Sequence, residues 1–327
     1  MKYRTLGKTG FKVSEVSLGT WQLGGKWGEK FNYETAEGIL RKAVDEGVNF
    51  IDTADVYNEG QSERAIGKFL KKAGQRIYVA TKAGRRLVPH TTEGYSKENI
   101  TRFINDSLKN MGLETIDLIQ LHCPTNEVYD RPEVFSILDE LADKGKILNY
   151  GVSVEKVEEA LKAIEYPNVA TVQIIYNMFR HKPAEEFFSQ AKEKNVGIIA
   201  RVPLASGMLT GKFKKDTVFL KGDHRFFNRK GEAFDKGETF SGVPYEIGLE
   251  AVEELKRVFP EGELAKYALR WILMNDNVSC IIPGASRISQ VEDNTKASDL
   301  PPLTDEQMKK VEEIYQKYIK IHVHTLW

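Results

Sequence analysis

Cysteine, excess charge and long apolar runs are all scarce in this chain, and each shortage excludes a class of protein. Only Cys123 and Cys280 occur in 327 residues, so a disulfide scaffold is excluded and a reducing, cytoplasmic location is expected. The 47 basic and 47 acidic residues cancel, which removes any general attraction to nucleic acid or anionic membranes. Because no run of 18 apolar residues is present, no transmembrane helix is expected.

Two common binding motifs are also missing. No G-x-G-x-x-G sequence occurs, which argues against a Rossmann nucleotide site. His322 and His324 lie close together near the end of the sequence but have no obvious third ligand, so no metal site is expected. The composition is that of an ordinary globular protein, with 41% apolar and 29% charged residues.

Short apolar runs alternate with amphipathic helical patterns along most of the chain. A representative helix has Ala36, Ile39, Leu40 and Ala43 at helical spacing and is followed by Gly47. The alternation predicts a (β/α)8 TIM barrel in the α/β class. An open doubly wound sheet is the alternative, but it usually has a glycine-rich turn after its first strand. The predicted strands cover residues 16–18, 48–52, 77–82, 116–121, 148–153, 171–176, 197–202 and 278–283.

Three further segments complete the predicted architecture. Residues 3–13 are predicted to form an N-terminal β-hairpin, and residues 304–319 a C-terminal helix. The connection over residues 204–244 is too long for an ordinary barrel loop, so we expect it to be a lid. The whole chain, residues 1–327, is predicted to be one domain.

Charged side chains stand at the carboxyl ends of successive predicted strands. Asp52, Lys82 and His122 end the second, third and fourth strands, and Tyr57 lies in the loop after Asp52. Each residue alone is more often a solvated boundary or a structural residue. The active site of a (β/α)8 barrel lies at this end of its strands, so their conjunction predicts a catalytic site.

The chemistry available to these four side chains is carbonyl reduction. A lysine beside a tyrosine favours the phenolate, which predicts a lowered tyrosine pKa and a usable proton donor. A histidine can donate a hydrogen bond to an oxygen that gains negative charge. No side chain supplies hydride, so a nicotinamide cofactor is implied.

Eight sequence blocks follow one another along nearly the whole chain: LGTWQLGG, FIDTADVYNEGQSE, VATKAG, LIQLHCP, NYGVS, VQIIYN, VPLASGMLTGK and IIPGASRISQVEDN. In these blocks and their order the chain resembles the aldo-keto reductase superfamily. The resemblance implies a catalytic tetrad of Asp52, Tyr57, Lys82 and His122, with Tyr57 as the proton donor. It also implies NADP(H) as the cofactor, held along the rim of the barrel.

The resemblance further implies which residues hold the cofactor. Gly19, Thr20 and Trp21 would line the nicotinamide end, beside Asp52, and Ser153 and Gln173 would hold the carboxamide. The remaining contacts fall in two blocks. The pyrophosphate block is Arg201, Val202, Pro203, Leu204, Ser206, Gly207, Leu209 and Lys212, and the adenosine block is Gly284, Ser286, Arg287, Gln290, Asp293 and Asn294.

The chain departs from the family pattern at two positions. Val154 stands where many members have asparagine after the strand-five serine, which puts one carboxamide contact in doubt. Arg201 stands where many members stack an aromatic ring on the nicotinamide. A cation there is expected to favour the reduced cofactor. NADPH is expected over NADH, since Lys212 and Arg287 are cations available to a 2′-phosphate.

These observations predict NADPH-dependent reduction of aldehydes or ketones to alcohols. Two alternatives stay open: a cofactor-sensing regulatory subunit without significant turnover, or a polyol or alcohol dehydrogenase that works oxidatively. The expected partner is a small-molecule carbonyl substrate, with no nucleic acid or membrane, and the expected state is a monomer or weak homo-oligomer. Phe226 and Phe227 are predicted to line the substrate pocket with Trp21 and Tyr57.

Overall fold

Eight parallel strands form a barrel surrounded by helices, in a computed structural model that describes residues 1–25 and 30–327. The barrel strands follow an antiparallel hairpin of β1 (Tyr3–Thr5) and β2 (Lys12–Ser14). They are β3 (Leu18–Gly19), β4 (Phe50–Asp52), β5 (Tyr78–Ala83), β6 (Ile116–His122), β7 (Ile147–Ser153), β8 (Val169–Ile175), β9 (Gly197–Arg201) and β10 (Val278–Ile281).

Each barrel strand pairs with the next one in the chain, from β3 to β10. Parallel bridges from Val16 to Ile281 and from Gly19 to Gly284 then join the first strand to the last. Gly19 is required at this seam, because a Cβ atom there would lie 2.6 Å from the carbonyl oxygen of Ile282. The predicted (β/α)8 barrel is therefore confirmed.

The helices cover the outside of the barrel in the predicted alternation. Asn32 and Ser96 cap the first and third helices by accepting hydrogen bonds from Thr35 N–H and Asn99 N–H. The helices that follow the first six barrel strands are α1 (Tyr33–Asp45), α2 (Gln61–Leu70), α3 (Lys97–Met111), α4 (Pro132–Asp143), α5 (Val157–Ala163) and α6 (Phe187–Glu193).

The segment after β9 is longer and less regular. It contains the short helix α7 (His224–Phe227) and returns to the barrel through α8 (Tyr245–Leu255) and α9 (Leu264–Leu273). Helix α10 (Ile288–Thr295) follows β10. The predicted C-terminal helix is present as α11 (Asp305–Ile314), which continues through a π-helical turn at Tyr315–Ile319 into α12 (Lys320–Val323).

The apolar core has two parts. The larger part lies between the barrel strands and the helices. The smaller part lies inside the barrel and includes Leu6 and Val13 of the hairpin, packed with Phe50, Leu118 and Ile199. The hairpin therefore closes the amino end of the barrel, whereas the carboxyl end is surrounded by the loops that follow the strands. Within the described ranges, no helix is long and apolar enough to cross a membrane.

Candidate active site

The strand register brings the sequence-predicted residues to one level at the carboxyl end of the barrel. Asp52 pairs with Gly19, and Lys82 pairs with Gln120 on the next strand. Ser153 pairs with both His122 and Gln173. Because paired residues of parallel strands lie side by side, this register forms a ring of polar side chains around the barrel mouth.

The ion pair of Lys82 with Asp52 is the centre of this ring. The ammonium Nζ of Lys82 lies 2.5 Å from Oδ1 of Asp52, and it also donates to the carbonyl oxygen of Thr53 at 2.8 Å. The phenol oxygen of Tyr57 lies 3.4 Å from the same Nζ. Only 1% of Lys82 is exposed, so its charge acts on Tyr57 without screening by water.

Two glutamines hold the second oxygen of the Asp52 carboxylate. Nε2 of Gln173 donates to Oδ2 at 2.8 Å, and Nε2 of Gln120 donates to the same oxygen at 3.2 Å. Both amides are buried. The carboxylate therefore has a donor on each oxygen and remains oriented toward Lys82. The side-chain amide nitrogen of Gln173, predicted to hold a carboxamide, is directed to Asp52 in this structure.

The direction of the pKa shift of Tyr57 differs from the sequence prediction. Burial raises the pKa of Tyr57, and the opposing effect of the Lys82 ammonium is smaller. The prediction of a lowered pKa was wrong, because the cost of desolvating the phenolate in this partly buried position outweighs the attraction of one cation that Asp52 already pairs with. Tyr57 is thus protonated at neutral pH. For Lys82, burial opposes the charge, but Asp52 and Tyr57 outweigh it and raise the pKa.

His122 completes the tetrad as a neutral side chain. Its ring lies nearly perpendicular to that of Tyr57, with the ring centroids 6.2 Å apart. Burial lowers the pKa of His122 well below its usual value, and the cations of Arg85, Lys82 and Arg201 lower it further. A neutral imidazole can donate one hydrogen bond to a carbonyl oxygen beside Tyr57.

The three residues after β3 have separate roles in the structure. Gly19 forms the barrel seam, as described above. The amide and hydroxyl groups of Thr20 both donate to the carbonyl oxygen of Asp52, at 3.0 and 2.9 Å. Thr20 therefore supports the strand that carries Asp52, and its buried hydroxyl is already engaged. Trp21 is half-buried and packs against His224 of α7, with ring centroids 4.3 Å apart.

The backbone after β9 has the strained geometry expected of a ligand-binding loop. Val202, Ala205 and Ser206 all have positive φ angles, of 51°, 46° and 55°. Residues other than glycine adopt this conformation rarely, and they do so chiefly at functional sites. The Ser206 hydroxyl donates to the carbonyl oxygen of Glu238 at 2.9 Å. This loop is where the pyrophosphate of the predicted cofactor would be held.

The other residues predicted to contact the pyrophosphate differ in their exposure to solvent. Pro203 and Leu209 are buried. Leu204 and Gly207 are partly exposed, and Lys212 is exposed. Gly207 has a φ angle of 93°, which favours glycine at this position.

The loop between β10 and α10 supplies a second polar surface. Ser286 donates from its amide and its hydroxyl to Oε1 of Gln290, at 2.8 and 3.1 Å. Arg287 precedes α10 and is exposed, with Nε donating to the Ser289 hydroxyl at 3.2 Å. A helix amino terminus beside an exposed guanidinium suits a phosphate group. The donor types here therefore fit the adenosine end of the predicted cofactor.

The last three adenosine-end residues lie on or beside α10. The Asn294 side chain is buried and donates to the carbonyl oxygen of Gly284 at 3.4 Å. Gly284 itself is exposed. Asp293 is exposed and forms an ion pair with Lys296 at 3.5 Å.

Arg201 is paired with carboxylates, which the sequence did not predict. Its Nη2 donates to Oε2 of Glu155 at 2.6 Å and to the carbonyl oxygen of Val154 at 2.9 Å. Its Nη1 lies 3.7 Å from Glu238. These contacts partly offset the guanidinium charge, which weakens the physical reason for expecting Arg201 to favour the reduced cofactor.

The sequence reasoning missed Gln120, Arg85, Glu155 and Glu238. Gln120 precedes His122 by two residues on β6, so strand alternation would have placed both side chains on the inner face. Arg85 and Glu155 lie in the loops just after β5 and β7, where strand alternation no longer applies, and only their closeness to Lys82 and Ser153 pointed to the site. No local pattern identifies Glu238, which reaches the site from the long connection.

The long connection contacts Trp21, one of the aromatic residues predicted for the pocket, through His224 and Phe234. Phe226 is 51% exposed, and its place in a substrate pocket stays a prediction. Phe227 packs against Phe234 with ring centroids 6.2 Å apart. Phe234 in turn lies 6.2 Å from Trp21. Trp21, His224 and Phe234 therefore form an aromatic contact between the connection and the barrel.

Ser153 and Cys123 lie side by side at the ends of β7 and β6. The hydroxyl of Ser153 is 3.6 Å from the Cys123 thiol. Both residues are buried, and burial raises the pKa of Cys123 to about 12. The thiol is thus un-ionised and unreactive at neutral pH. Ser153 stands at the level of Gln173, in the position predicted for a carboxamide contact.

Sequence and structure comparisons agree with this geometry. A model of the Aldo/keto reductase family matches residues 15–316. A probable voltage-gated potassium channel subunit beta of Arabidopsis thaliana is 32% identical over 97% of each chain. The holo form of an aldo-keto reductase from Bacillus halodurans is 28% identical over 96% of each chain, with a TM-score of 0.76.

A glycerol dehydrogenase from Gluconobacter oxydans is also similar in structure. It is 29% identical, with a TM-score of 0.77 over 97% of this chain and 96% of that one. The family match spans all eight barrel strands and the four residues of the tetrad. The chain belongs to the aldo/keto reductase family.

Proposed function

We propose that the protein reduces aldehydes or ketones to alcohols with hydride from NADPH, and that Tyr57 is the proton donor. The observation that carries the proposal is the buried contact of Lys82 with both Asp52 and Tyr57, at 2.5 and 3.4 Å. Few structural roles require a buried ammonium between a carboxylate and a phenol, whereas proton transfer to a carbonyl oxygen does.

The four side chains would divide the chemistry as follows. His122, which is neutral, orients the carbonyl oxygen by a hydrogen bond, and Tyr57 gives that oxygen its proton. Lys82 stabilises the phenolate that remains, since it lies 3.4 Å from the phenol oxygen. Asp52, held by Gln120 and Gln173, keeps Lys82 charged and in place.

NADP(H) would lie along the rim between the loop after β9 and the loop after β10. When bound, it would supply or accept the hydride. We infer that Lys212 and Arg287 select NADPH through its 2′-phosphate, because both cations are exposed at these loops. We further infer that residues 1–327 form one domain, since the hairpin packs inside the barrel.

The decisive variant is Tyr57→Phe. It removes the phenol oxygen and retains the ring, so the carbonyl loses its proton donor while the cofactor loops are untouched. We expect kcat to fall about 100-fold or more, with the NADPH dissociation constant within about threefold of wild type. NADPH oxidation with a panel of aldehydes and ketones measures the first quantity, and fluorescence titration measures the second. Near-normal turnover would reject the role.

A regulatory role is the second candidate, because one of the similar proteins is a probable channel subunit beta. Multiple turnovers by the isolated protein favour the enzyme, whereas a single slow turnover favours a cofactor sensor. The structural similarity to a glycerol dehydrogenase makes oxidation of a polyol a further candidate reaction. Measuring polyol oxidation with NADP⁺ beside carbonyl reduction, both at neutral pH, distinguishes the two directions.

A further inference from the structure

A buried cluster of four charged side chains lies beside the catalytic tetrad. Arg85 Nη2 donates to Glu238 at 2.8 Å and to Glu155 at 3.1 Å. Arg201 donates to Glu155 at 2.6 Å and lies 3.7 Å from Glu238. All four side chains are at least four-fifths buried, with exposures of 8 to 20%. We call these residues the Arg–Glu cluster.

The Arg–Glu cluster is within electrostatic reach of the reacting groups. Arg85 follows β5, Glu155 follows β7 and Arg201 ends β9, so all three stand at the barrel mouth. The guanidinium groups of Arg85 and Arg201 help to lower the pKa of His122. The Glu238 carboxylate is among the charges that raise the pKa of Tyr57. Nη2 of Arg201 lies 3.9 Å from the thiol of Cys123, the residue directly after His122. A substrate carbonyl between Tyr57 and His122 would therefore lie close to this cluster.

The charges of the cluster cancel when both carboxyl groups are ionised. Two arginines face two glutamates, and buried ions are tolerated only when they are paired in this way. A substrate that carried a carboxylate or phosphate into this region would add an uncompensated negative charge. Arg85 and Arg201 are the cations that would recognise such an anion, but the two glutamates already bind them.

Glu238 is the member of the cluster that does not belong to the barrel. It lies in the long connection, and its backbone oxygen accepts from the Ser206 hydroxyl at 2.9 Å. The amide of Phe240, two residues further on, donates to the same hydroxyl at 3.1 Å. These bonds fix Glu238 over the mouth of the barrel, where its carboxylate meets the two guanidinium groups.

We propose that Glu238 is a specificity-determining residue that fills an anion-binding position between Arg85 and Arg201. The site therefore accepts neutral carbonyl compounds and rejects those that carry a carboxylate or phosphate near the carbonyl. The inference rests on the proposed carbonyl reductase function and names its substrate class. The Glu238 carboxylate would repel an anionic substrate, and it already occupies N–H donors of the two arginines. Proteins commonly discriminate between ligands by such unfavourable interactions.

The test is Glu238→Gln, which retains the shape and leaves one positive charge in excess. The paired substrates are glyceraldehyde and glyceraldehyde 3-phosphate, compared by kcat/KM at about pH 8 with saturating NADPH. Wild type is expected to prefer glyceraldehyde. In the variant, the ratio of kcat/KM for the phosphate to that for the neutral aldehyde should rise about tenfold or more. Glu155→Gln removes the other carboxylate and should shift the ratio in the same direction.

Two further variants control for changes unrelated to charge. Glu232→Gln alters an exposed carboxylate of the same connection and should leave the ratio unchanged. Arg85→Gln combined with Glu238→Gln restores the charge balance and should abolish the gain. The proposal is overturned if both glutamate variants fold, as judged by melting temperature, and keep the wild-type ratio. It is equally overturned if wild type already prefers the phosphate.

A binding measurement separates this proposal from the proposed function. Glycolate and glycolamide differ by one charge and need no turnover, and calorimetry on the NADPH-loaded protein gives both dissociation constants. We expect Glu238→Gln to strengthen glycolate binding relative to glycolamide about tenfold. If wild type reduces no carbonyl compound, the proposed function fails, and this pair alone decides the role of Glu238. An unchanged ratio of dissociation constants would reject that role.

Discussion

At the scale of single residues, Asp55 is a buried carboxyl group with little to compensate its burial. Its side chain is fully buried, and Arg86 lies 3.9 Å away. Neither oxygen meets a hydrogen-bond donor in good geometry among the described residues. Burial raises the pKa of Asp55 to about 8, and the nearby Glu63 adds to the shift. At neutral pH the folded protein therefore holds this carboxyl group as the neutral acid.

The raised pKa of Asp55 makes stability depend on pH in a defined direction. The folded state retains the proton up to about pH 8, whereas the unfolded chain loses it near pH 4. Between these values the unfolded state binds fewer protons, so stability falls as pH rises. We expect Asp55→Asn to remove this dependence. The variant should exceed wild type by about 1 kcal/mol or more at about pH 9, and by much less at about pH 4.

Denaturant unfolding at both pH values measures this difference. Asp106→Asn is the matched control, because Asp106 binds the same Arg86 at 2.8 Å but is 40% exposed. At about pH 9 it should change stability much less than Asp55→Asn does. An equal effect of Asp55→Asn at the two values would contradict the ionisation argument.

The residues of the site were predictable where they follow a strand and missed where they depend on distant contacts. Asp52, Lys82 and His122 stand at strand ends, and the barrel geometry brings such ends together. The direction of the Tyr57 pKa shift was missed, because burial is a property of the folded chain. Glu238 was missed for a similar reason: it lies far along the chain from Arg85 and has no local motif.

At the scale of elements, the strands and helices of the barrel were predictable, but the interior of the long connection was not. The short apolar strands and periodic helices between β3 and α6 follow their sequence patterns closely. Between β9 and α8 the fold instead depends on contacts with other parts of the molecule. Trp327 provides one of these, since its indole N–H donates to Oδ1 of Asp235 at 2.8 Å.

Trp327 is expected to hold the part of the connection that carries Glu238. Its ring packs on Gly237 and Gly242, where an added Cβ atom would lie 3.0 and 2.5 Å away. It also lies over the Arg180 guanidinium, 3.9 Å from the ring centroid. The indole thus ties residues 235–242 to the body of the protein.

Trp327→Phe removes the indole N–H and retains an aromatic ring. We expect the connection to open more often, so trypsin should cleave it several-fold faster while the barrel remains resistant. Limited proteolysis followed by mass spectrometry measures this rate and identifies the sites. Ile321→Ala, at an 82% exposed position of the same terminal segment, is the control. Equal cleavage rates for the two variants would argue that Trp327 does not hold residues 235–242 in place.

At the scale of the whole molecule, the hairpin contacts that stabilise the barrel and the residues of the candidate active site lie at opposite ends of the barrel. The hairpin closes the amino end, where Arg4 donates to Oε2 of Glu15 at 2.9 Å. Arg4 also donates to the carbonyl oxygens of Leu273 and Val278, at 2.7 and 2.9 Å. These bonds join the hairpin to the strand that closes the barrel, far from the ring of Asp52, Lys82 and His122.

Arg4→Met tests whether the amino end of the barrel is independent of the site at the carboxyl end, since it retains the apolar stem of the side chain and removes its charge. Glu15 is 1% exposed and would then depend on the Ser298 hydroxyl and on Arg270, 4.0 Å away. Because a buried carboxylate loses its main partner, we expect a loss of about 3 kcal/mol in the free energy of unfolding. Adding Glu15→Gln to Arg4→Met should recover part of the lost free energy of unfolding. Lys12→Met, on the same hairpin, should change the free energy of unfolding little.

Well below the melting temperature, kcat and KM of Arg4→Met should match wild type, since the barrel mouth is untouched. A fall in kcat in protein that is still fully folded would show that the two ends are coupled.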